Sequence, residues 1–325
     1  MKKDDLDFME KILSKGHASP VPQEEVVSKN QSGKVWYLPH FRVYHPKKTT
    51  QIRVVFNSSA EFEGVSLNKK LLSGPDMMNS LLGVLIRFRT ENTAVMCDIE
   101  QMFLSFHVDP RHRDFLHFLW FEDNVIRKPI IEYRMNVHLF RNGPSPAVAT
   151  FGLRKTAADG EEDFDKAASN FVHRNFYVDD GLASLPTAKE AIDLVTTTQT
   201  MQVTANLRLH KLVSNSVEVM EAFPAEDRGK DVCDIDLRRD SLPAQWSLRV
   251  YWDLEEDAFT FRVALPGKPF TRRGVLSIAN SIYDPLGLAV PVLLEGRLLL
   301  QQLVIMGKKK NDDIPFGWDY PLPET

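Results

Sequence analysis

Apolar positions along the chain fall in short runs that switch between a strand-like period of two and a helix-like period of three to four. Residues 1–32, polar and broken by Pro20 and Pro22 ahead of Gly33, predict a lead-in helix and a loop. Gln51–Phe56 is β-rich, and Thr93–Ile99 is a β-prone run carrying a carboxylate near its end. Between them, Gly74-Pro75 breaks the chain before Met77–Arg89, whose apolar spacing predicts a helix. Asp109-Pro110 predicts a turn, Phe115–Phe121 is apolar, and Ile130–Phe140 predicts a strand. Pro144-Ser145-Pro146 predicts a helix start, with Ser145 as N-cap and Pro146 at the first helical position. Phe171–Val178 and Leu182–Leu185 flank Asp179-Asp180-Gly181, which predicts a hairpin with its tip at those three residues. Helices follow over Thr187–Val203, Thr271–Ile282 and Leu293–Val304, the last two separated by the loop Tyr283–Gly287. With no regular βαβ rhythm and no internal repeat, the pattern predicts an α+β fold.

Length and composition narrow the class. At about 100–200 residues per domain, 325 residues predict two domains, or one with appendages. The most apolar stretch, Val290–Met306, carries Glu295, Arg297, Gln301 and Gln302, so no membrane span is expected. Met1-Lys2-Lys3-Asp4-Asp5 leads into no apolar stretch, which argues against a secretory signal. Cys97 and Cys233 are the only cysteines, too few for a disulfide framework or a Cys-rich zinc site. These features predict a reduced, cytoplasmic protein. The net charge of −4 hides segregation. Val26–Ala60 holds Lys29, Lys34, Arg42, Lys47, Lys48 and Arg53 and no acid, interleaved with Trp36, Tyr37, Phe41, Tyr44 and Phe56. Stacking on bases and contact with phosphates ask for that mixture. Glu221–Asp257 is rich in acids, and the sign turns positive again at Lys268, Arg272, Arg273 and Lys308–Lys310.

Most catalytic signatures are absent: there is no phosphate-binding G-x-x-x-x-G-K-[ST], no H-E-x-x-H, no G-x-S-x-G and no Asp-[Ser/Thr]-Gly. His107, His112 and His117 are five apart, which suits neither one helix face nor a strand pair, and they read as surface or packing residues. The run Phe176-Tyr177-Val178-Asp179-Asp180 stands out, because adjacent carboxylates behind an apolar run resist joint ionisation unless a cation is near. Asp-Asp-Gly is also good turn chemistry, so this feature alone leaves both readings open. Asp98, at the end of a buried-looking strand, is costly unless paired. A metal shared with Asp179 and Asp180 would relieve it, and three carboxylates can hold two ions about 3.5–4 Å apart for in-line phosphoryl transfer.

At these residues the chain resembles a known family. Tyr177-Val178-Asp179-Asp180 is similar to the signature of retroviral-type reverse transcriptases. Asp98 with Phe103 resembles the first palm motif, and Gly143-Pro144-Ser145-Pro146-Ala147 the end of the second. Tyr37–His40, Arg53–Asn57, Ser66–Asn68, Leu72–Pro75, Ile86–Arg89, Asp98–Phe103, Phe118–Trp120 and Tyr283–Leu288 resemble the Pao/Bel class of LTR retrotransposon polymerases, from about Lys34 to Pro321.

That resemblance implies a right-hand polymerase fold: a lead-in over 1–32, fingers over 33–92, a ferredoxin-like palm over 93–252 with a fingers insertion at about 111–142, and a helical thumb with the start of a connection over 253–325. It implies an RNA-directed DNA polymerase using Mg²⁺, or Mn²⁺, on dNTPs, an RNA template and a DNA primer or RNA–DNA hybrid, working in the cytoplasm or in virus-like particles. Asp98, Asp179 and Asp180 would be the metal ligands, with the Ile99 carbonyl completing a shell. Phe103 would sit under the sugar and exclude a 2′-OH, and Tyr177 would be another nucleotide-site residue. Arg53 would bind the triphosphate, Lys47 or Lys48 would add a point charge, and Lys211 would protonate pyrophosphate. Trp246–Asp253 resembles the primer-grip hairpin, and Arg272 and Arg273 would meet nucleic-acid backbone.

Departures from the pattern point another way. Arg141 stands where the family carries glycine after Phe140, Arg249 where it carries glycine after Leu248, and Asn57 where it carries aspartate. Each is reachable by one G→A transition, which suggests a drifting or hypermutated element copy. The alternative is therefore a catalytically inactive or domesticated polymerase-like nucleic-acid-binding protein. A processing peptidase is disfavoured by the missing Asp-[Ser/Thr]-Gly, and nothing up to Trp318–Pro321 resembles an RNase H or integrase segment.

Overall fold

A computed structural model describes residues 3–30, 35–45, 48–232, 245–248, 250–261, 267–309 and 317–322. Its helices are α1 (Lys3–Ser14), α2 (Gln23–Asn30), α3 (Leu67–Lys70), α4 (Leu81–Arg87), α5 (Ser145–Asp159), α6 (Lys166–Asn175), α7 (Ala188–Val203), α8 (Val217–Glu221), α9 (Arg272–Ala279) and α10 (Val290–Lys309). Its strands are β1 (Ala18–Pro20), β2 (His40–His45), β3 (Lys48–Phe56), β4 (Thr93–Ile99), β5 (His117–Phe121), β6 (Ile130–Met135), β7 (Phe176–Tyr177), β8 (Asp180–Leu185), β9 (Leu209–Ser214), β10 (Gln245–Ser247), β11 (Val250–Asp253) and β12 (Ala258–Thr260). Strands and helices are interspersed in a mixed α and β architecture. No helix among the described residues is long and apolar enough to cross a membrane.

The chain divides into two compact units. The first comprises Met1–Met78, Ile99–His173 and Val195–Leu209. It holds the antiparallel sheet β1-β6-β5 and the ribbon β2-β3. In β5, Phe118 and Trp120 face the core while Leu119 between them is exposed, and His117 at the strand's start is also buried. Met9, Leu38, Phe56, Phe118, Tyr133 and Met135 make up much of that core. The second unit comprises Asn79–Asp98, Arg174–Leu194 and His210–Thr325. Here β4 lies inside the order β7-β8-β4-β9, and β10-β11-β12 form a second small sheet. Val84, Phe88, Met96, Leu182, Val213 and Trp252 pack its core, with Phe88 edge-on to Trp252 at 4.9 Å.

Several expectations shift. Thr93–Ile99 is a strand from end to end. Phe171–Val178 is not: helix α6 runs to Asn175 and only Phe176–Tyr177 extend. The buried Ala168, Phe171 and Val172 are three and four apart, so the helical period carries the segment. The strand expected over Ile130–Phe140 ends at Met135, because β5 begins at His117, opposite Arg134. Beyond that point, Val108 N–H donates to the Asn136 carbonyl and His138 N–H to the Phe106 carbonyl. The helix expected from Met77 starts at Leu81, where Ser80 caps it by accepting from Gly83 N–H. In α5 the cap position falls on Pro144, so Ser145 opens the helix and its buried hydroxyl meets His138 Nδ1 at 3.4 Å. The segment expected as primer grip contains the hairpin β10–β11; Arg249 within it, like Lys47 and Cys233, lies outside the described residues.

Candidate active site

The carboxylates come together because β4 and β8 pair antiparallel with Asp98 opposite Asp180. One strand back, Tyr177 of β7 also pairs with Asp180, which leaves Val178-Asp179 as the two-residue tip. The sequence predicted a tip at Asp179-Asp180-Gly181; instead Asp180 and Gly181 belong to strand β8. Gly181 is required by proximity: a Cβ there would lie 2.6 Å from the Phe176 ring and 2.8 Å from Cys97 Sγ. The left-handed turn residue is Val178, at φ 58°. A β-branched residue in that region is strained, and such strain concentrates at functional turns.

Asp98 is held on both oxygens. Lys211 Nζ donates to Oδ2 at 2.7 Å, and His210 Nε2 lies 2.9 Å from Oδ1. Successive residues of a regular strand point to opposite faces. His210 and Lys211 both reach Asp98 in a strand whose Lys211 takes φ 52°. Burial, and after it the charge of Asp98, push the Asp179 carboxyl above its usual range, while its own backbone N–H and Lys211 act the other way. Lys211 is thus the cation standing among these carboxylates. Among the described residues no group of three His, Cys, Asp or Glu is arranged as a metal cage. The donor set nevertheless fits a hard divalent ion: oxygen ligands only, at least one destabilised by like charge, with an ammonium already seated on another. His210 was missed in the sequence, where its only signal was its place beside Lys211.

The remaining expected site residues lie as follows. Tyr177 is partly buried against the second unit's core. Ile99 is buried at the end of β4. Phe103, on the 3₁₀ turn Met102–Ser105, tilts against Phe140 at 5.7 Å. Arg53 and Lys48 are in β3, with Arg53 opposite Val43, and their side chains lie outside the described residues. Of the five aromatics expected to stack on bases, Tyr37, Phe41 and Tyr44 are exposed, whereas Phe56 and Trp36 pack into the core. Arg272 is buried in α9, whereas Arg273 is exposed and paired with Asp319 through two contacts of 2.6 and 3.1 Å.

Several of the short motifs converge in the first unit. Asn68 donates to the Arg141 carbonyl and to Ser59 Oγ, and accepts from Gly143 N–H at 2.9 Å. Gly74, at φ 77°, leaves no room for a side chain: a Cβ would come within 2.8 Å of Ala147. Asn57 accepts from Ser59 N–H through its side-chain oxygen, a contact that an aspartate would make equally well. Arg141 takes φ 66°, the conformation that glycine adopts without cost, and lays its guanidinium 5.7 Å over the Phe140 ring.

Comparison with known proteins agrees with this picture at a coarse level. By fold, the chain is similar to a solved structure described as the foamy viral protease-reverse transcriptase dRH in complex with double-stranded DNA. The TM-score is 0.59 at 15% identity, over 95% of this chain but only 44% of that one, so the chain spans under half the length of that protein. Residues 271–324 match the family described as Pao retrotransposon-like RNaseH-like domain. Together these findings relate the chain to retroelement polyproteins. The match overturns the expectation that nothing near the end resembles an RNase H segment, and it falls on the stretch expected to be the thumb. Of the carboxylates there, Asp284 accepts from Leu288 and Ala289 N–H, and Asp319 is paired with Arg273. No curated protein matches the chain.

Proposed function

We propose that the chain is the RNA-directed DNA polymerase segment of a retrotransposon polyprotein, with fingers, ferredoxin-like palm and helical thumb in chain order. The observation that carries this reading is the pairing of Asp98 with Asp180 across β4 and β8, with Asp179 at the adjoining tip. Magnesium, or manganese in its place, held by Asp98, Asp179 and Asp180 would acidify a primer 3′-OH and neutralise the triphosphate. Lys211 would then leave Asp98 and turn its ammonium to the departing pyrophosphate as proton donor. His210 would keep Asp98 oriented through its other oxygen. Phe103, braced by Phe140, would close the space beside the sugar C2′. Tyr177 would bound the nucleotide site, and Arg53 and Lys48 would meet the phosphates. The partners in this reading are dNTPs, an RNA template and a DNA primer, in the cytoplasm or in virus-like particles.

A second reading, an inactive polymerase-like nucleic-acid-binding protein, is favoured by Arg141 at its left-handed position. Primer extension on an RNA template annealed to a DNA primer separates the two. The polymerase reading expects extension with Mg²⁺ or Mn²⁺ that Asp179→Asn abolishes. Salt-sensitive binding of the same duplex without extension would establish the second reading instead.

A further inference from the structure

A cleft in the first unit collects basic groups from four separate segments. Lys15, His17, Glu100, Gln101, His107 and Arg208 line a cavity of about 410 Å³, within the range of small-ligand sites. Lys15 and His17 leave the end of α1 through Gly16, whose φ of 70° closes the helix. That turn is fixed at both ends: His17 N–H donates to the Ile12 carbonyl, and Asn136 binds the His17 and Gly16 carbonyls. Glu100 and Gln101 follow β4, where Glu100 N–H donates to the Arg208 carbonyl at 2.9 Å. Lys15 Nζ reaches Gln101 Oε1 at 3.4 Å, and the Arg208 guanidinium lies 3.2 Å from Glu100. His107 is tied by a β-bridge to Val137.

The charge balance is uneven. Among the residues lining the cleft are two permanent cations, Lys15 and Arg208, one carboxylate, Glu100, and two imidazoles, His17 and His107. The His17 imidazole already registers this field: burial first, then Lys15 and His107, hold it below its usual range. A guest of negative charge would offset the part that Lys15 and His107 contribute. A guanidinium, a lysine ammonium and two imidazoles form a donor set suited to phosphate oxygens.

We propose that this cleft binds a phosphate group carried on a small anion of pyrophosphate or nucleoside-phosphate size, through Lys15, Arg208, His17 and His107. It stands independently of the polymerase reading, since none of these residues belongs to the carboxylate cluster. Binding takes up a proton where the His17 imidazole, held below its usual range in the empty cleft, becomes charged beside the anion, with Glu100, Lys15, Arg208 and His107 as its charged and polar neighbours. The phosphate could be presented free or on a nucleic-acid backbone, and the test separates these sources.

The probe is pyrophosphate, titrated calorimetrically into the full chain in EDTA at pH 6.5, in two buffers of different ionisation heat. Saturable binding with net proton uptake is expected. Lys15→Gln and His107→Gln should each weaken it about tenfold or more, and Lys15→Arg should restore it, with the melting temperature unchanged. Lys15 and His107 lie outside the carboxylate cluster, so failure of the polymerase reading would leave this result standing. If pyrophosphate also displaces a short DNA duplex, and the same variants lose both, the phosphate is one of a nucleic-acid backbone. Absence of saturable binding, or binding indifferent to Lys15 and His107, overturns the proposal.

Discussion

Single residues in this chain are explained by backbone conformation as much as by chemistry. Arg141, Val178 and Lys211 are non-glycine residues at φ 66°, 58° and 52°. Two of them border the carboxylate cluster, where strain can be tolerated because the surrounding pairing holds it. Arg141 has no such role in the cluster, and the retroelement resemblance places glycine there. A left-handed non-glycine residue costs about 1–2 kcal/mol, and glycine gives back about 0.5–1 kcal/mol through its freer unfolded chain. The Arg141→Gly variant should therefore be more stable by up to about 1 kcal/mol, a rise of a few degrees in melting temperature. A fall in melting temperature would mean that the guanidinium contact with Phe140 outweighs the strain.

At the scale of elements, what was legible followed from periodicity and caps. The pattern located β4 over its full length, and Thr271 caps α9 by accepting from Gly274 N–H. The pattern misled where an apolar run suits both periods: Phe171 and Val172 serve α6, and Phe176 serves β7. The hairpin was legible as a hairpin but not in its tip, because Asp-Gly is strong turn chemistry and only packing shows that Gly181 is needed against Phe176 and Cys97. Elements also carry a pH signature. His17 before β1, His40 in β2 and His138 after β6 all belong to the first unit, and burial holds each imidazole below its usual range. A group with a depressed folded pKa stabilises the fold above its unfolded value, about 6.5 for histidine, and loses that contribution as pH falls toward the folded value. The denaturant midpoint should accordingly be flat from pH 8 to 7 and fall from about pH 6.5 downward. The double variant His40→Phe, His138→Gln should fall less steeply over that interval; an identical slope would assign the acid sensitivity to other groups.

On the scale of the whole molecule, the sequence indicated which carboxylates would lie together better than what holds them there. Asp98, Asp179 and Asp180 were legible because a buried strand end and an adjacent acid pair are each costly alone, and β4–β8 pairing brings them side by side. The grip of His210 and Lys211 on Asp98 was not legible, since it depends on one left-handed residue inside a strand. The polymerase proposal then implies a conflict between stability and function that can be measured. Like charge and burial make Asp179 a liability in the metal-free protein. Asp179→Asn keeps the shape of the tip and removes one of the opposing charges, so the metal-free variant should melt a few degrees above the parent protein. Magnesium should raise the melting temperature of the parent by binding the folded state, and should raise that of the variant much less. If the polymerase proposal holds, primer extension should be lost in the variant despite its greater stability, the trade-off expected of a charged site kept for activity. A variant that melts lower than the parent would show that Asp179 contributes more through its contacts than it costs through repulsion. Equal magnesium shifts in both proteins, or none in either, would remove Asp179 from the proposed metal ligands.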